Sequence, residues 1–553
     1  MLSSDKQLIQ FVVSAMVHHN IKKVVLSPGS RNAPFAIAFD AHPQIETLVV
    51  HDERCAAFIA LGWAQQSKTP VALCSTSGSA CLNYYPAIAE AYYRNIPLLV
   101  ITSDRPSKWI NHGDGQTIVQ KDVFKNHVHQ YLEFDEENFE LNNASVELLQ
   151  NFLNQLNQNW KGPIHLNTGL NEPLYGEARL KNIIFPDPTR NEPKRDFPDF
   201  HPLSDQKIMI LVGQMDHNPK LETSLGILAQ FSNVVVLVEN TSNLKHPLFN
   251  HCIDRSLNGI DKSDKKYHPD ILITLGGAIV SKRIKAYLRQ IPLKIHWRVA
   301  FDFPKMDTYG QLSACISIEP EKFISALLEA SLSLSTINFQ GCWKAIDYLS
   351  KDKQNLFVTN PKELYDYDIF KALQKLISGP YTIHLANSSV VRYAQLFDPL
   401  DEVTYYSNRG TSGIDGSVST AIGAALASPQ SKHILICGDT SFIYDSNSLW
   451  TSPFPKNLKI ILINNRGGGI FQIIEGPATS VLRSKYFEAS HDKSPGKIAE
   501  GFGFKVMYST QKDLIDSVLN EFLYHSSHQI IELTTQQDKN AQILKDFFNF
   551  INS

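Results

Sequence analysis

The sequence predicts an α/β protein made of three doubly wound parallel-sheet blocks. Short, continuously apolar, β-branched runs alternate with amphipathic helical stretches along the chain, the pattern of strands buried on both faces by crossover helices. Turns rich in Gly, Ser, Asp and Arg follow directly on those runs, where open α/β sheets bind ligands. The chain has 553 residues, 43% of them hydrophobic, enough for roughly three or four domains with cores of their own.

An opening helix carries Leu8, Phe11, Val12 and Ala15 on one face, with Ser4-Asp5-Lys6-Gln7 read as its capping box. Asp5 and Lys6 stand where a signal peptide would begin its apolar run, so none is expected. Strands are expected at 23–26, 46–50, 70–75 and 97–102, in a first domain over 1–185. Pro186, Pro188, Pro193, Pro198 and Pro202 mark a linker over 186–204. A second domain, 205–335, has strands at 208–212, 234–238, 271–275 and 293–297, and a polar, helical connection follows at 336–360. The third domain, 361–553, has strands at 381–385, 403–406, 433–437, 459–463 and 529–533. The three blocks suggest one architecture used three times, although no repeat is visible in the residues themselves.

A net charge of −3 excludes an electrostatic nucleic-acid partner. No apolar run approaches the roughly 18 residues of a membrane span, so no membrane insertion is expected. Seven cysteines, odd in number and without C-x-x-C spacing, argue against a disulfide framework and for a reducing, cytoplasmic setting.

Three groups of residues could carry chemistry. In the third block, one strand ends in Gly438-Asp439-Thr440-Ser441 and the next in Asn464-Asn465-Arg466-Gly467-Gly468-Gly469. A carboxylate, an amide carbonyl and a main-chain carbonyl are the oxygen ligands a hard divalent cation prefers, and the glycines let a diphosphate approach the backbone. Either half alone is ordinary turn chemistry; together they favour a metal–diphosphate site. Glu53 follows a strand and opens an apolar helix, a position that by itself only complements the helix dipole. Arg31, Arg105, Arg283, Arg392 and Arg409 stand beside turns, and their convergence would suit a polycarboxylate.

At Gly438-Asp439 and Asn465-Arg466-Gly467 the third block resembles the diphosphate-binding domain of thiamine-diphosphate enzymes. The first block, with a glutamate after its second strand, resembles their pyrimidine-binding domain. SPGSR at 27–31, DER at 52–54, TSG at 76–78, TSDRP at 102–106, SKR at 281–283, SNRG at 407–410, SGIDG at 412–416 and GIF at 469–471 are similar to one branch. That branch is the 2-succinyl-5-enolpyruvyl-6-hydroxy-3-cyclohexene-1-carboxylate synthase family of menaquinone biosynthesis. The resemblance runs through all three blocks in order and is weakest in the middle one. Thr440 stands where the superfamily commonly has glycine, and Arg466 where a third asparagine is common.

The resemblance implies thiamine diphosphate with Mg²⁺, or Mn²⁺, as cofactors. It places the metal on Asp439, Asn465 and the Gly467 carbonyl, and Glu53 against the pyrimidine ring. Ile414 becomes the apolar prop under the bent cofactor, with Ile470 and Phe471 beside the thiazolium. Ser77, Gly78, Asn387, Ser388, Ser412, Gly438, Thr440, Ser441 and Gly468 complete the implied cofactor site. On the substrate side it implies Ser30, Arg31, Arg105, Gln116, Lys282, Arg283, Ser388, Arg392 and Arg409. The implied reaction is decarboxylation of 2-oxoglutarate and conjugate addition of the succinyl carbanion equivalent to isochorismate. Glu53 and Asp439 are expected from different subunits, so the homo-oligomer is a dimer at least, or a tetramer. The competing readings are another thiamine-diphosphate enzyme, either a 2-oxo-acid decarboxylase or an acetolactate-synthase-like enzyme, and an inactive diphosphate-binding regulatory protein. Residues 205–330 carry no flavin signature, and both Glu53 and Asp439 are present.

Overall fold

Eight strands belong to the first part of the chain: β1 (Leu2–Ser4), β2 (Lys23–Leu26), β3 (Glu46–Val49), β4 (Val71–Ser75), β5 (Leu98–Asp104), β6 (Tyr131–Asp135), β7 (Ile164–Gly169) and β8 (Glu177–Arg179). The computed structural model describes residues 2–158, 161–181, 183–186, 203, 205–301, 306–329, 335–473 and 477–553. These group into two compact units. One comprises Met1–Pro193, Gly410–Ser431 and Tyr444–Leu458; the other comprises Lys194–Arg409, Lys432–Ile443 and Lys459–Ser553.

In the first unit β2 to β7 form a parallel sheet in the order β3-β2-β4-β5-β7-β6. Leu26 pairs with Cys74 where the strand order reverses. The helix Gln7–His18 packs its apolar face on this sheet, and Leu8, Phe11, Val12 and Ala15 are buried as expected. Its capping box is not formed. Lys6 is the N-cap, with no side-chain cap bond. Ser4 instead belongs to β1, which pairs antiparallel with β8, so its backbone is committed to a ladder. The strands β6 and β7, absent from the sequence reading, complete the sheet; β6 is a short edge strand in which only Leu132 is fully buried.

The helix Glu53–Ser67 is capped by the Asp52 carboxylate, which accepts the Cys55 N–H at 3.1 Å. It is buried nearly all round, because the small-residue helix Ser417–Ala427 crosses it closely. A Cβ on Gly62 would lie 2.0 Å from the Thr420 carbonyl oxygen, and one on Gly423 would lie 1.9 Å from that of Ile59. This crossing puts Gly410–Ser431 into the first unit, although those residues fall in the third sequence block.

In the second unit β9 (Ile208–Val212), β10 (Val234–Val238), β11 (Ile271–Leu275), β12 (Ile295–Val299) and β13 (Ala314–Ile316) pair in the order β10-β9-β11-β12-β13. Alternate residues face opposite sides: Ile208, Ile210 and Val212 enter one apolar core, Met209 and Leu211 the other. The second core includes Trp343, fully buried on the helix Phe339–Leu356, within the stretch read as a connection. The other stretch read as a linker, 186–204, lies outside the described residues except for 186 and 203.

The same unit contains β14 (Tyr381–Leu385), β15 (Val403–Tyr406), β16 (Lys432–Gly438), β17 (Leu458–Asn464), β18 (Val506–Ser509) and β19 (Ile530–Thr534), ordered β15-β14-β16-β17-β19-β18. Numbered within its own block, this order is identical to that of the first sheet. The repeat that the residues conceal is present in the topology.

The three parallel sheets reverse strand order between β2 and β4, β9 and β11, and β14 and β16, where such folds open a crevice; the outer two turn back again at their far edges, β7-β6 and β19-β18. The middle crevice is closed. Gly277 donates to the Gln214 carbonyl at 2.7 Å, and a Cβ on Gly213 would lie 2.2 Å from the Gly277 oxygen. The outer two sheets therefore keep the usable strand ends. Among the described residues no helix is long and apolar enough to cross a membrane.

Candidate active site

In the first unit the turns after β2 and β4 lie side by side. A Cβ on Gly29 would come within 2.6 Å of the Thr76 side chain, and the Arg31 N–H reaches Thr76 Oγ1 at 3.3 Å. Arg31 is 4% exposed; its guanidinium donates to the Leu170 carbonyl at 2.9 Å and to Glu172 at 3.0 Å. Burial and then the nearby Arg105 cation lower its pKa. Arg105 is partly exposed and held by Asp114 at 3.3 Å and the Gly115 carbonyl at 3.1 Å. The two arginines thus share one region, a convergence that their places in the sequence do not show. Ser30 and Gln116 are exposed. The Gln116 backbone, at φ +54°, packs against Gly78, whose φ of +82° only glycine adopts readily.

Behind these turns is a buried polar network that sequence reasoning missed. Gln120 accepts the Gly78 N–H at 2.9 Å and donates to Asn167 at 3.0 Å; Asn167 in turn donates to Asp104 at 3.0 Å. Burial pushes the Asp104 carboxyl up to about 6. Gln120 thereby sets the turn that carries the buried Ser77. Neither Gln120 nor Asn167 belongs to any local pattern.

Glu53 opens its helix partly exposed, with Asn83 donating to it at 3.5 Å. The later turn of this unit has Ser412 at φ +63° and exposes 37% of Ile414, an unusual presentation for a bulky aliphatic side chain. Its start is held by Glu90, a fully buried carboxylate that accepts the N–H groups of Gly410 at 2.8 Å and Thr411 at 2.6 Å.

In the second unit Gly438 ends β16 and Asp439 opens the helix after it, and Asn465 and Gly467 follow β17 beside it. Asp439 is 2% exposed and accepts the Gly467 N–H at 3.0 Å. Burial raises its pKa, against the pull of Thr440 and His491. His491, 3.6 Å away, was not foreseen from the sequence. The Asn465 amide nitrogen donates to Asp366 at 3.2 Å, and its oxygen takes no hydrogen bond from the described residues. A Cβ on Gly438 would meet nothing within 4 Å, so this strand end opens on free space. Thr440 and the buried Ser441 follow on the next turn. Gly468 and Ile470 lie on the far side of the Gly467 turn, with Phe471 packed on Phe487 at 5.9 Å.

These donors fit a magnesium–diphosphate group. One buried carboxylate, a free amide oxygen and a main-chain carbonyl leave positions that phosphate oxygens and water must fill, as Mg²⁺ prefers.

After β14, Asn387 bridges the Asn408 carbonyl at 2.6 Å and Arg409 Nη1 at 2.8 Å. Ser388, at φ +73°, starts the short helix that carries Arg392. Arg392 Nη1 is buried with no hydrogen-bond partner among the described residues, and burial lowers its pKa. The anions in its field are Asp254 and Glu239. Glu239 is 2% exposed, accepts the N–H groups of Val280 at 2.7 Å and Ser281 at 2.8 Å, and is pushed by burial up to about 7. Lys282 is exposed, and Arg283 is held at Asn258, 3.1 Å away, and over the Phe548 ring. The cation this helix places in the field of Arg409 and Arg392 is Lys285, whose pKa burial and then Arg409 lower. Its spacing of three from Lys282 was the available signal.

Two family models match the chain: the thiamine pyrophosphate enzyme N-terminal TPP binding domain over residues 6–130, and the thiamine pyrophosphate enzyme C-terminal TPP binding domain over residues 387–533. Full-length relatives share one name, 2-succinyl-5-enolpyruvyl-6-hydroxy-3-cyclohexene-1-carboxylate synthase. The protein of that name from Flavobacterium johnsoniae is 39% identical, over 98% of both chains. The Flavobacterium psychrophilum protein is 38% identical over 98% of both, and the Bacteroides fragilis protein 36% identical over 99% of both. With both cofactor-binding models matched and relatives aligned end to end, the chain belongs to the 2-succinyl-5-enolpyruvyl-6-hydroxy-3-cyclohexene-1-carboxylate synthase family of thiamine-diphosphate enzymes.

Proposed function

We propose that this chain decarboxylates 2-oxoglutarate and adds the remaining four-carbon unit to isochorismate, releasing CO₂ and forming the carbon–carbon bond that its relatives' name describes. The observation that carries the reading is the pairing of a metal–diphosphate donor set at β16 and β17 with a desolvated, incompletely partnered Arg392, which acts on Lys285 together with Arg409. A cofactor site of the superfamily needs the first; dicarboxylate substrates need the second.

Bound thiamine diphosphate supplies the electron sink for decarboxylation of a 2-oxo acid. Asp439, the Asn465 oxygen and the Gly467 carbonyl would hold Mg²⁺ or Mn²⁺, and Gly438, Thr440, Ser441 and Gly468 would admit the diphosphate. Glu53 would hold a proton at the pyrimidine ring nitrogen. Ile414, Ile470 and Phe471 would exclude water, with Ser77, Gly78, Asn387, Ser388 and Ser412 lining the rest. Ser30, Arg31, Arg105, Gln116, Lys282, Arg283, Arg392 and Arg409 would meet the substrate carboxylates and hydroxyl.

Glu53 and Asp439 serve one cofactor from two subunits in this reading, making a dimer the minimum unit and a tetramer its expected pairing. The strongly exposed Val481, Tyr486 and Trp450 support an interface. The domain limits are 1–185, 205–335 and 361–553. The seven cysteines are all free, which supports a reducing cytoplasm.

The test is isochorismate consumption with Mg²⁺, thiamine diphosphate and 2-oxoglutarate supplied together or singly omitted. Turnover is expected only with all three, and equal use of pyruvate overturns the substrate reading. Asp439→Ala should abolish Mg²⁺-dependent cofactor affinity; an unaltered value removes it as a ligand.

A further inference from the structure

Asp366 opens the helix Asp366–Leu376, far in sequence from both metal-binding turns. It is 2% exposed, and its two carboxylate oxygens do different things. Oδ1 accepts the Thr535 hydroxyl at 2.6 Å and the Asn540 amide nitrogen at 2.9 Å. The Asp366 N–H returns a bond to Asn540 Oδ1 at 2.9 Å, which locks the two side chains together. Oδ2 is thereby left pointing at one group, the Asn465 amide nitrogen at 3.2 Å.

A carboxylate only accepts, so it can receive only the NH₂ end of a neighbouring amide. The two ends of an asparagine amide are nearly equal in size, and packing alone would not choose between them. Asp366 makes the choice chemically, and the Asn465 oxygen is turned away from it. That oxygen is the atom a hard cation needs; an NH₂ group in its place is no ligand. Partners that orient a ligand from behind are often as consequential as the ligand itself.

We propose that Asp366 is the positioning residue that presents the oxygen, and not the nitrogen, of Asn465 to the divalent metal. The proposal rests on Asn465 being a metal ligand, as read above. It gives a sharp consequence for a nearly isosteric change. In Asp366→Asn the new oxygen must still accept from Thr535 and Asn540, so the new NH₂ faces the NH₂ of Asn465. The Asn465 amide then rotates and offers nitrogen to the metal. A second change, Asn465→Asp, restores complementarity, because the new carboxylate accepts from the new amide and keeps an oxygen toward the metal.

The experiment titrates Mn²⁺ into the full-length protein at saturating thiamine diphosphate, following free Mn²⁺ by electron paramagnetic resonance. Asp366→Asn should weaken Mn²⁺ binding about 10–100-fold, with the thermal midpoint of the metal-free protein little changed. Asn465→Ala should weaken it comparably, and the double variant Asp366→Asn/Asn465→Asp should return to within about threefold of the unaltered protein. Recovery in the double variant is not expected of a residue that merely supports the fold. If Asn465→Ala weakens binding while Asp366→Asn does not, the orienting role is wrong and the ligand survives. If Asn465→Ala itself binds normally, the ligand reading falls and the proposal with it. Should Asp366→Asn fail to fold, Asp366→Ser takes its place, since it removes the carboxylate that holds the Asn465 amide: Mn²⁺ binding weakened about 10-fold supports the proposal, and unaltered binding overturns it.

Discussion

Glu90 holds Thr411 twice, accepting its main-chain N–H at 2.6 Å and its hydroxyl at 2.9 Å, and takes the Gly410 N–H on its other oxygen at 2.8 Å. The carboxylate is fully buried, so water cannot replace it. The turn it anchors follows Arg409 in the chain and leads to Ser412 and Ile414. Glu90→Ala removes the acceptor of three donors on a turn where Gly410 is half-buried and Thr411 exposed, so water relieves part of the loss and each bond is worth about 0.5–1.5 kcal/mol. We expect a loss of about 2 kcal/mol in denaturant unfolding, together with weaker cofactor binding. Glu90→Gln keeps one acceptor and should lose less. An unchanged denaturation midpoint in both variants would show the turn to be held elsewhere.

The crossing of Glu53–Ser67 with Ser417–Ala427 depends on the absence of two methyl groups. Alanine at Gly62 or Gly423 would push a Cβ to about 2 Å from a carbonyl oxygen of the other helix, and backbone cannot yield as a side chain does. Each substitution should destabilise by about 3 kcal/mol, the upper end for overpacking. Gly501→Ala, where nothing lies within 4 Å, is the control and should be neutral or mildly stabilising.

Arg392 predicts opposite signs for function and stability. Its Nη1 is buried with no hydrogen-bond partner among the described residues, burial lowers its pKa, and a substrate carboxylate there would add the missing acceptor. Arg392→Met should raise KM for the acidic substrates about 10–100-fold, the worth of one charged hydrogen bond. The denaturation midpoint should stay level or rise. A less stable protein with unaltered KM contradicts both halves.

Asp445 gives a pH signature. Burial pushes its carboxyl from an ordinary 3.8 up to about 6, although Ser419 donates to it through both N–H and O–H. The folded chain thus binds this proton more tightly than the unfolded chain. Stability contributed by the site is full below pH 4, falls as pH rises from about 4 to about 6, and is level above, a total on the order of 3 kcal/mol. Asp445→Asn should remove that slope while keeping an acceptor for Ser419. Parallel stability–pH curves for the two proteins between pH 4 and 6 would contradict the assignment.

The α/β architecture, and the residues that stand at its strand ends, were legible in the chain. Short, β-branched apolar runs such as 234–238, bounded by turn residues, read as strands buried on both faces, and residues after such strands, Asp439 and Asn465 among them, then lie at the carboxyl edge of a sheet. Those inferences are local, because strand and helix periods are written in neighbouring residues. The capping box at Ser4 failed for the converse reason: β8, far along the chain, claimed that backbone for a ladder. The identical strand orders of the outer sheets were invisible, since hydrogen-bonded neighbours are not neighbours in sequence. Only the tertiary structure closed the middle crevice with Gly213 and Gly277, put Lys285 near Arg409, and brought Asp366 to Asn465 and Glu90 to Thr411. Each of these is a contact between residues far apart in sequence, made by burying polar groups that must then find partners, and no spacing rule encodes which partner a fold will bring.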